Sequence, residues 1–194
     1  MGPFEDRKVW HRLAGSGSTE PSRVSVLTTL VRSSTAVSPF TGIRAGIVHI
    51  ELVERMPDSS DPHARSESVK DRYDPVGALV LGDVATLRDE DGTEITIMVR
   101  RARIEPAPSR SGGAAITDVP PEIVPLLQRA TGRGVLCYRE LTLSTGDKLR
   151  LRAVVEPTRS IVADGYRSGT RVTYLARDDL GPVVLEEIFD VPSW

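Results

Sequence analysis

Run after run in this chain alternates apolar and polar residues with a period of two, and short turn-forming clusters close most of the runs. That period places every second side chain on one face of an extended strand, so the chain has sheet faces to bury rather than helix stripes. In Ile43–Glu54, the residues Val48, Ile50 and Leu52 alternate with His49, Glu51 and Val53, which predicts a strand with one buried face. In Lys148–Glu156, Leu149, Leu151, Ala153 and Val155 share one face and Arg150 and Arg152 the other. Val24–Arg32 reads as an early strand.

The punctuation predicts three hairpins. Leu79–Arg88 and Thr93–Ile104 flank Asp89-Glu90-Asp91-Gly92, and Asp-Gly accepts the positive φ of a tight turn. Ile95, Ile97 and Val99 share a face, whereas Ala102 and Ile104 are in the opposite phase, so a bulge or sharp bend is expected near Arg100–Arg101. Val135–Leu143 and Lys148–Glu156 flank Ser144-Thr145-Gly146-Asp147. Thr170–Arg177 and Pro182–Asp190 flank Asp178-Asp179-Leu180-Gly181. One helix is expected after Asp118, a potential cap, with Ile123, Leu126, Leu127 and Ala130 on one face and Gly132 as its stop. Pro125 would move its start later.

The fold class that follows is mainly β with one short helix: an antiparallel OB-like barrel or sandwich of about eight strands. A doubly wound α/β fold would need helices between parallel strands. Residues 1–23 read as a flexible lead-in and 24–194 as a single β-rich domain, with an extra β-hairpin at 170–190. Polar stretches at 56–75, 105–118 and around Asp164–Gly169 read as loops.

At 194 residues the chain can bury a core without staples, and its one cysteine, Cys137, reads as a small core hydrophobe between Leu136 and Tyr138. The formal net charge of −2 gives no broad attraction to DNA or an anionic membrane. No segment approaches the ~20 apolar residues of a membrane span, and the first residues lack an apolar signal core. The expectation is a soluble, cytoplasmic chain, or a piece of something larger, with no membrane insertion of its own.

Two stretches are familiar in combination. The first is Ser38-Pro39-Phe40-Thr41-Gly42-Ile43-Arg44, followed by a strand ending Ile50-Glu51-Leu52-Val53-Glu54-Arg55. The second is Val119–Leu127, followed by Tyr138-Arg139-Glu140, Leu141 to Leu143, Gly146-Asp147 and the strand at Lys148. Their order over about 24–157 resembles the BAM (beside-a-membrane, or GIDE) domain of membrane-anchored mitochondrial E3 ubiquitin ligases and bacterial relatives. The resemblance implies a β-rich sensing or binding module. A ligase RING needs eight zinc ligands, and one cysteine with three scattered histidines cannot supply them, so ligase activity is not carried over.

Catalytic signatures are otherwise missing. His11, His49 and His63 are far apart, with His49 on the polar phase of a strand. No phosphate-cradling glycine loop and no Gly-x-Ser-x-Gly elbow occurs. Asp89, Glu90 and Asp91 lack the spacing of a calcium loop and read as a solvated turn, as does Asp178-Asp179. No catalytic residue, metal ligand or cofactor is expected. Arg100, Arg101, Arg103, Arg150 and Arg152, with Arg139 nearby, are a possible basic face, and Arg44 with Glu140 a possible structural polar pair.

The leading expectation is a non-enzymatic module that binds a protein, peptide or small ligand through the loops at 56–75 and 105–118. The alternatives are an OB-type single-stranded nucleic-acid binder that uses the arginines, and an enzyme whose site is assembled from distant residues.

Overall fold

The computed structural model describes residues 20–56, 73–106, 113–162 and 169–188. Among the described residues the chain is mainly β, with one four-residue α-helix, and its central feature is a closed five-strand barrel. Strand β1 (Ser22–Ser33) pairs with β6 (Val84–Asp89) and β6 with β7 (Glu94–Met98). β7 pairs with β12 (Gly169–Ala176) and β12 with β11 (Lys148–Val162), and β11 closes the ring onto β1. β1 pairs with β11 through Ser22–Thr29 and with β6 through Thr28–Ser33, with a register shift between Leu30 and Arg32 in the second pairing.

The interior is filled by the period-two faces. Val24, Val26 and Leu30 come from β1, Leu149, Leu151, Ala153 and Val155 from β11, and Ile95 and Ile97 from β7. Small residues, Ala85, Ala102 and Ala176, sit among these large ones, which lets a narrow barrel pack solid. The phase switch read at Arg100–Arg101 is a single 3-10 turn, Val99–Arg101. It moves the inward phase from Val99 to Ala102 and Ile104, on β8 (Ala102–Glu105).

Three expectations need correction. The sheet is not purely antiparallel: β12 runs parallel to β7, and β13 (Val183–Glu187) runs parallel to β8. The hairpin expected at 170–190 does not form. β11 is fifteen residues long and offers one continuous edge, so β12 pairs with its second half and β13 with its first, both in the same direction. The residues between them fold over Val154, where Arg177 N–H donates to the Val154 carbonyl at 2.8 Å. The hairpin at 144–147 is also absent. The turn itself is tight, with Asp147 N–H donating to the Ser144 carbonyl at 3.0 Å, but its two strands leave for different sheets. The hairpin at 89–92 does form, with Gly92 at φ +83° and the Asp89 carboxylate accepting from the Asp91 and Thr93 N–H groups at 2.9 and 2.8 Å.

The second sheet has four strands in the order β5 (Tyr73–Leu81), β4 (Ile47–Arg55), β10 (Val135–Leu143) and β9 (Ala114–Ala115). It enters between β1 and β6 and again between β8 and β11, so barrel and sheet interleave along the chain. At one end its residues Ile47, Leu141 and Leu143 join the barrel core. On the other face Val48, Ile50 and Leu52 pack under Ile123, helix α1 (Val124–Leu127) and a small ribbon of β2 (Ala36–Val37) and β3 (Arg44–Ala45). Covered on both sides, β4 is buried at seven of its nine positions, not on one face alone. The helix starts late, at Val124 with Pro125 in its first turn, and ends at Leu127, short of the expected stop at Gly132; no side chain caps its start, so Asp118 has a different role. Where the chain returns to the barrel, Gly82 adopts φ +125°, and a Cβ there would lie 2.9 Å from the Gly46 carbonyl oxygen.

Among the described residues no helix is long and apolar enough to cross a membrane.

Candidate functional site

The turn at Ser38–Gly42 is built from its own side chains. Ser38 Oγ accepts from the Phe40 and Thr41 N–H groups at 3.2 and 3.1 Å, and Gly42, at φ +68°, donates its N–H to the Ser38 carbonyl at 3.0 Å. Such a hydroxyl-closed turn is a local preference of Ser-Pro sequences. A carboxylate on β10 then holds the turn against the sheet. The Ser38 hydroxyl donates to Glu140 Oε2 at 2.6 Å, and the Thr41 hydroxyl donates to Glu140 Oε1 at 2.8 Å. The turn delivers Phe40 onto Tyr138, two residues before Glu140 on the same face, with ring centroids 3.9 Å apart and planes 11° from parallel. Arg44, the other half of the expected polar pair, is exposed on β3 of the same ribbon.

The aromatic pair floors an open groove of about 540 Å³. Pro39 and the run from Ala115 to Glu122, which leads into α1, line the rest of it. Asp118, expected as a helix cap, lines the groove instead, together with Glu122. Val119, at 43% exposure, leaves an apolar side chain open to a ligand at the rim.

The expected basic arginines are all matched by carboxylates. Arg100 pairs with Asp83 at 2.8 Å and Arg101 with Asp178 at 2.9 Å. Arg103, Arg150 and Arg152 do come together across β8, β13 and β11, but Glu105 and Glu186 lie among them. Arg152 reaches Glu105 at 2.5 Å and Glu186 at 3.8 Å, Arg103 reaches Glu105 at 3.4 Å, and Arg150 reaches Glu186 at 3.8 Å. Arg139 pairs with Glu51 at 3.2 Å, and its guanidinium sits 5.0 Å from the Tyr73 ring centroid. This is an alternating ladder of charge rather than a positive track.

Two buried ionisable groups support the second sheet. His49 is buried beside Leu141 and Val80, and burial lowers its pKa, with the Glu51 charge opposing. Glu54 accepts from Gly134 N–H at 2.8 Å, from the Thr131 hydroxyl at 2.7 Å and from Thr131 N–H at 3.0 Å. Those bonds, the Gly134 one foremost, hold its carboxyl at about 2 against an ordinary 4.5. Glu54 ties the segment after α1 to β4, and neither residue lines the groove. Cys137 is buried, and His11 and His63 lie outside the described residues.

The groove went unread in the sequence because its walls are distant: Phe40 and Tyr138 are separated by β4, β5 and most of the barrel's first half. The loop at 105–118 contributes through Ala115 to Asp118, whereas the loop at 56–75 lies almost wholly outside the described residues.

Fold and site together define a mixed-barrel β protein with an appended sheet that carries an aromatic-floored groove. Compared with protein-family models, curated proteins and solved structures, the chain matches none.

Proposed function

We propose that this chain is a non-enzymatic binding module and that its ligand site is the groove floored by Phe40 and Tyr138. The observation that carries the reading is an open, partly apolar cleft held in shape by dedicated hydrogen bonds. Its volume falls within the range of small-ligand and peptide sites. The two stretches that resemble the BAM domain meet here, Ser38 and Thr41 on Glu140 and Phe40 on Tyr138, which supports a module of that kind.

The barrel reads as OB-like. If the interrupted pairs β7/β8 and β12/β13 each count as one strand, the ring runs first, second, third, fifth, fourth and back to first, as in a five-stranded Greek-key barrel. That likeness favours a second reading, a single-stranded nucleic-acid binder. The charge ladder weighs against it, because a phosphate backbone would meet Glu105 and Glu186 beside every arginine of the cluster.

A random peptide library displayed on phage, selected against the purified protein, tests the first reading. Enriched peptides should lose binding to Phe40→Ala and keep it to a protein carrying Arg103→Ala and Arg150→Ala. Failure to enrich any sequence, or enrichment that ignores Phe40→Ala, removes the groove from consideration. Salt-sensitive binding of labelled single strands that the arginine variants abolish would establish the second reading in its place.

A further inference from the structure

The groove's lining is strongly biased in what it offers a ligand. Among the described residues its charged side chains are Asp118 and Glu122, both exposed, with no lysine, arginine or histidine in the lining. Hydrogen-bond donors are scarce as well. Pro39, Pro120 and Pro121 have no N–H. The Phe40 N–H is already spent on Ser38 Oγ at 3.2 Å, and the Ile116 N–H on the Leu136 carbonyl at 3.0 Å. What remains is mostly acceptor, carboxylate and carbonyl oxygen around a stacked pair of rings, with the Thr117 and Tyr138 hydroxyls able to donate or accept. An anionic ligand would find negative charge and few donors. A planar, multiply donating cation would find its complement.

Resting on the binding reading above, we infer that the groove takes an extended peptide through an arginine side chain, whose guanidinium lies against the Phe40–Tyr138 pair and donates to Asp118 and Glu122. A guanidinium suits this lining better than an ammonium. It is planar, so it can lie on a ring face, and its forked N–H groups meet a carboxylate two at a time. The peptide is extended because Ala115, which lines the cleft, belongs to β9, the last strand of the second sheet among the described residues. A main chain lying along that strand can add to it while its side chain enters the cleft.

The test is a ¹⁵N-HSQC titration of the whole chain at low salt with three capped pentapeptides, Gly-Ala-X-Ala-Gly, in which X is arginine, citrulline or glutamate. Citrulline keeps the shape and planarity of arginine and removes the charge. The arginine peptide should shift Phe40, Ile116 to Glu122 and Tyr138 saturably, and the citrulline peptide should bind at least about tenfold more weakly. The double variant Asp118→Asn/Glu122→Gln, with both sites on the surface and an otherwise unchanged spectrum, should lose about tenfold for the arginine peptide alone. Equal binding of arginine and citrulline peptides at these residues, or an unaffected double variant, overturns the guanidinium assignment and leaves the groove as a binding site. No shift at the groove with any of the three also overturns the assignment, and library selection with the Phe40→Ala control then decides the broader reading separately.

Discussion

Replacing Ser38 by alanine asks whether one hydroxyl shapes the groove. Ser38 is only 2% exposed, and its Oγ takes part in three hydrogen bonds: one donated to Glu140 and two accepted from the N–H groups of Phe40 and Thr41. The bond to the carboxylate is charge-assisted and partly buried, and bonds of that kind contribute about 1.5–3 kcal/mol. The two accepted bonds are long, and one involves the exposed Thr41, so water replaces much of their value. The expected cost of Ser38→Ala is therefore about 2–3 kcal/mol. Thr41→Ala removes one exposed bond to the same carboxylate and a long one, at 3.4 Å, accepted from Ile43 N–H, and should cost about 0.5–1 kcal/mol. Urea unfolding monitored by far-UV circular dichroism reads both. With a slope near 2 kcal/mol/M, Ser38→Ala should lower the midpoint by roughly 1 M and Thr41→Ala by less than half of that. Equal costs for the two, or a Ser38→Ala cost below about 0.5 kcal/mol, would refute the reasoning that this hydroxyl anchors the turn.

Other expectations follow from the same geometry. Leu151→Ala, at a fully buried barrel position, should destabilise by about 2–5 kcal/mol in urea, since the closed ring of strands can collapse little around the cavity. The Glu54 carboxyl, held at about 2 when folded and near 4.5 otherwise, should support the fold fully above pH 4.5 and lose that support as pH falls toward 2. Acid titration of Glu54→Gln should show a shallower loss across that window. His49 has a lowered pKa when folded, so the unfolded chain binds the extra proton first and stability should fall as pH drops below about 6.5. Thermal melts of His49→Gln between pH 7 and 5 should show less of that fall.

Local signals were legible in the sequence and partnerships were not. The inward faces of β1 and β11 follow from alternation alone, and the β6–β7 turn follows from Asp-Gly. The bend at Val99–Arg101 was visible as a phase change, because an inserted 3-10 turn leaves that trace. Ser144 to Asp147 was legible as a turn, but a turn does not specify that its strands stay together, and here Leu143 ends one sheet while Lys148 begins another. The parallel pairing of β12 with β7 is non-local and has no sequence period of its own. His49 reads as lying on the polar phase of its strand, yet it is buried beside Leu141, and nothing local in the sequence marks Glu54 as the buried carboxylate that closes the chain after α1 onto β4. The groove depends on Phe40 meeting Tyr138, and its only trace in the sequence is a bulky aromatic residue placed inside a Ser-Pro turn.

The most direct test of the central claim is hydrogen exchange by mass spectrometry on the chain with and without a library-selected peptide. Slowed exchange confined to segments that contain Phe40, Ile116 to Glu122 and Tyr138 is the predicted result. Protection centred instead on the strands bearing Arg103, Arg150 and Arg152 would contradict it.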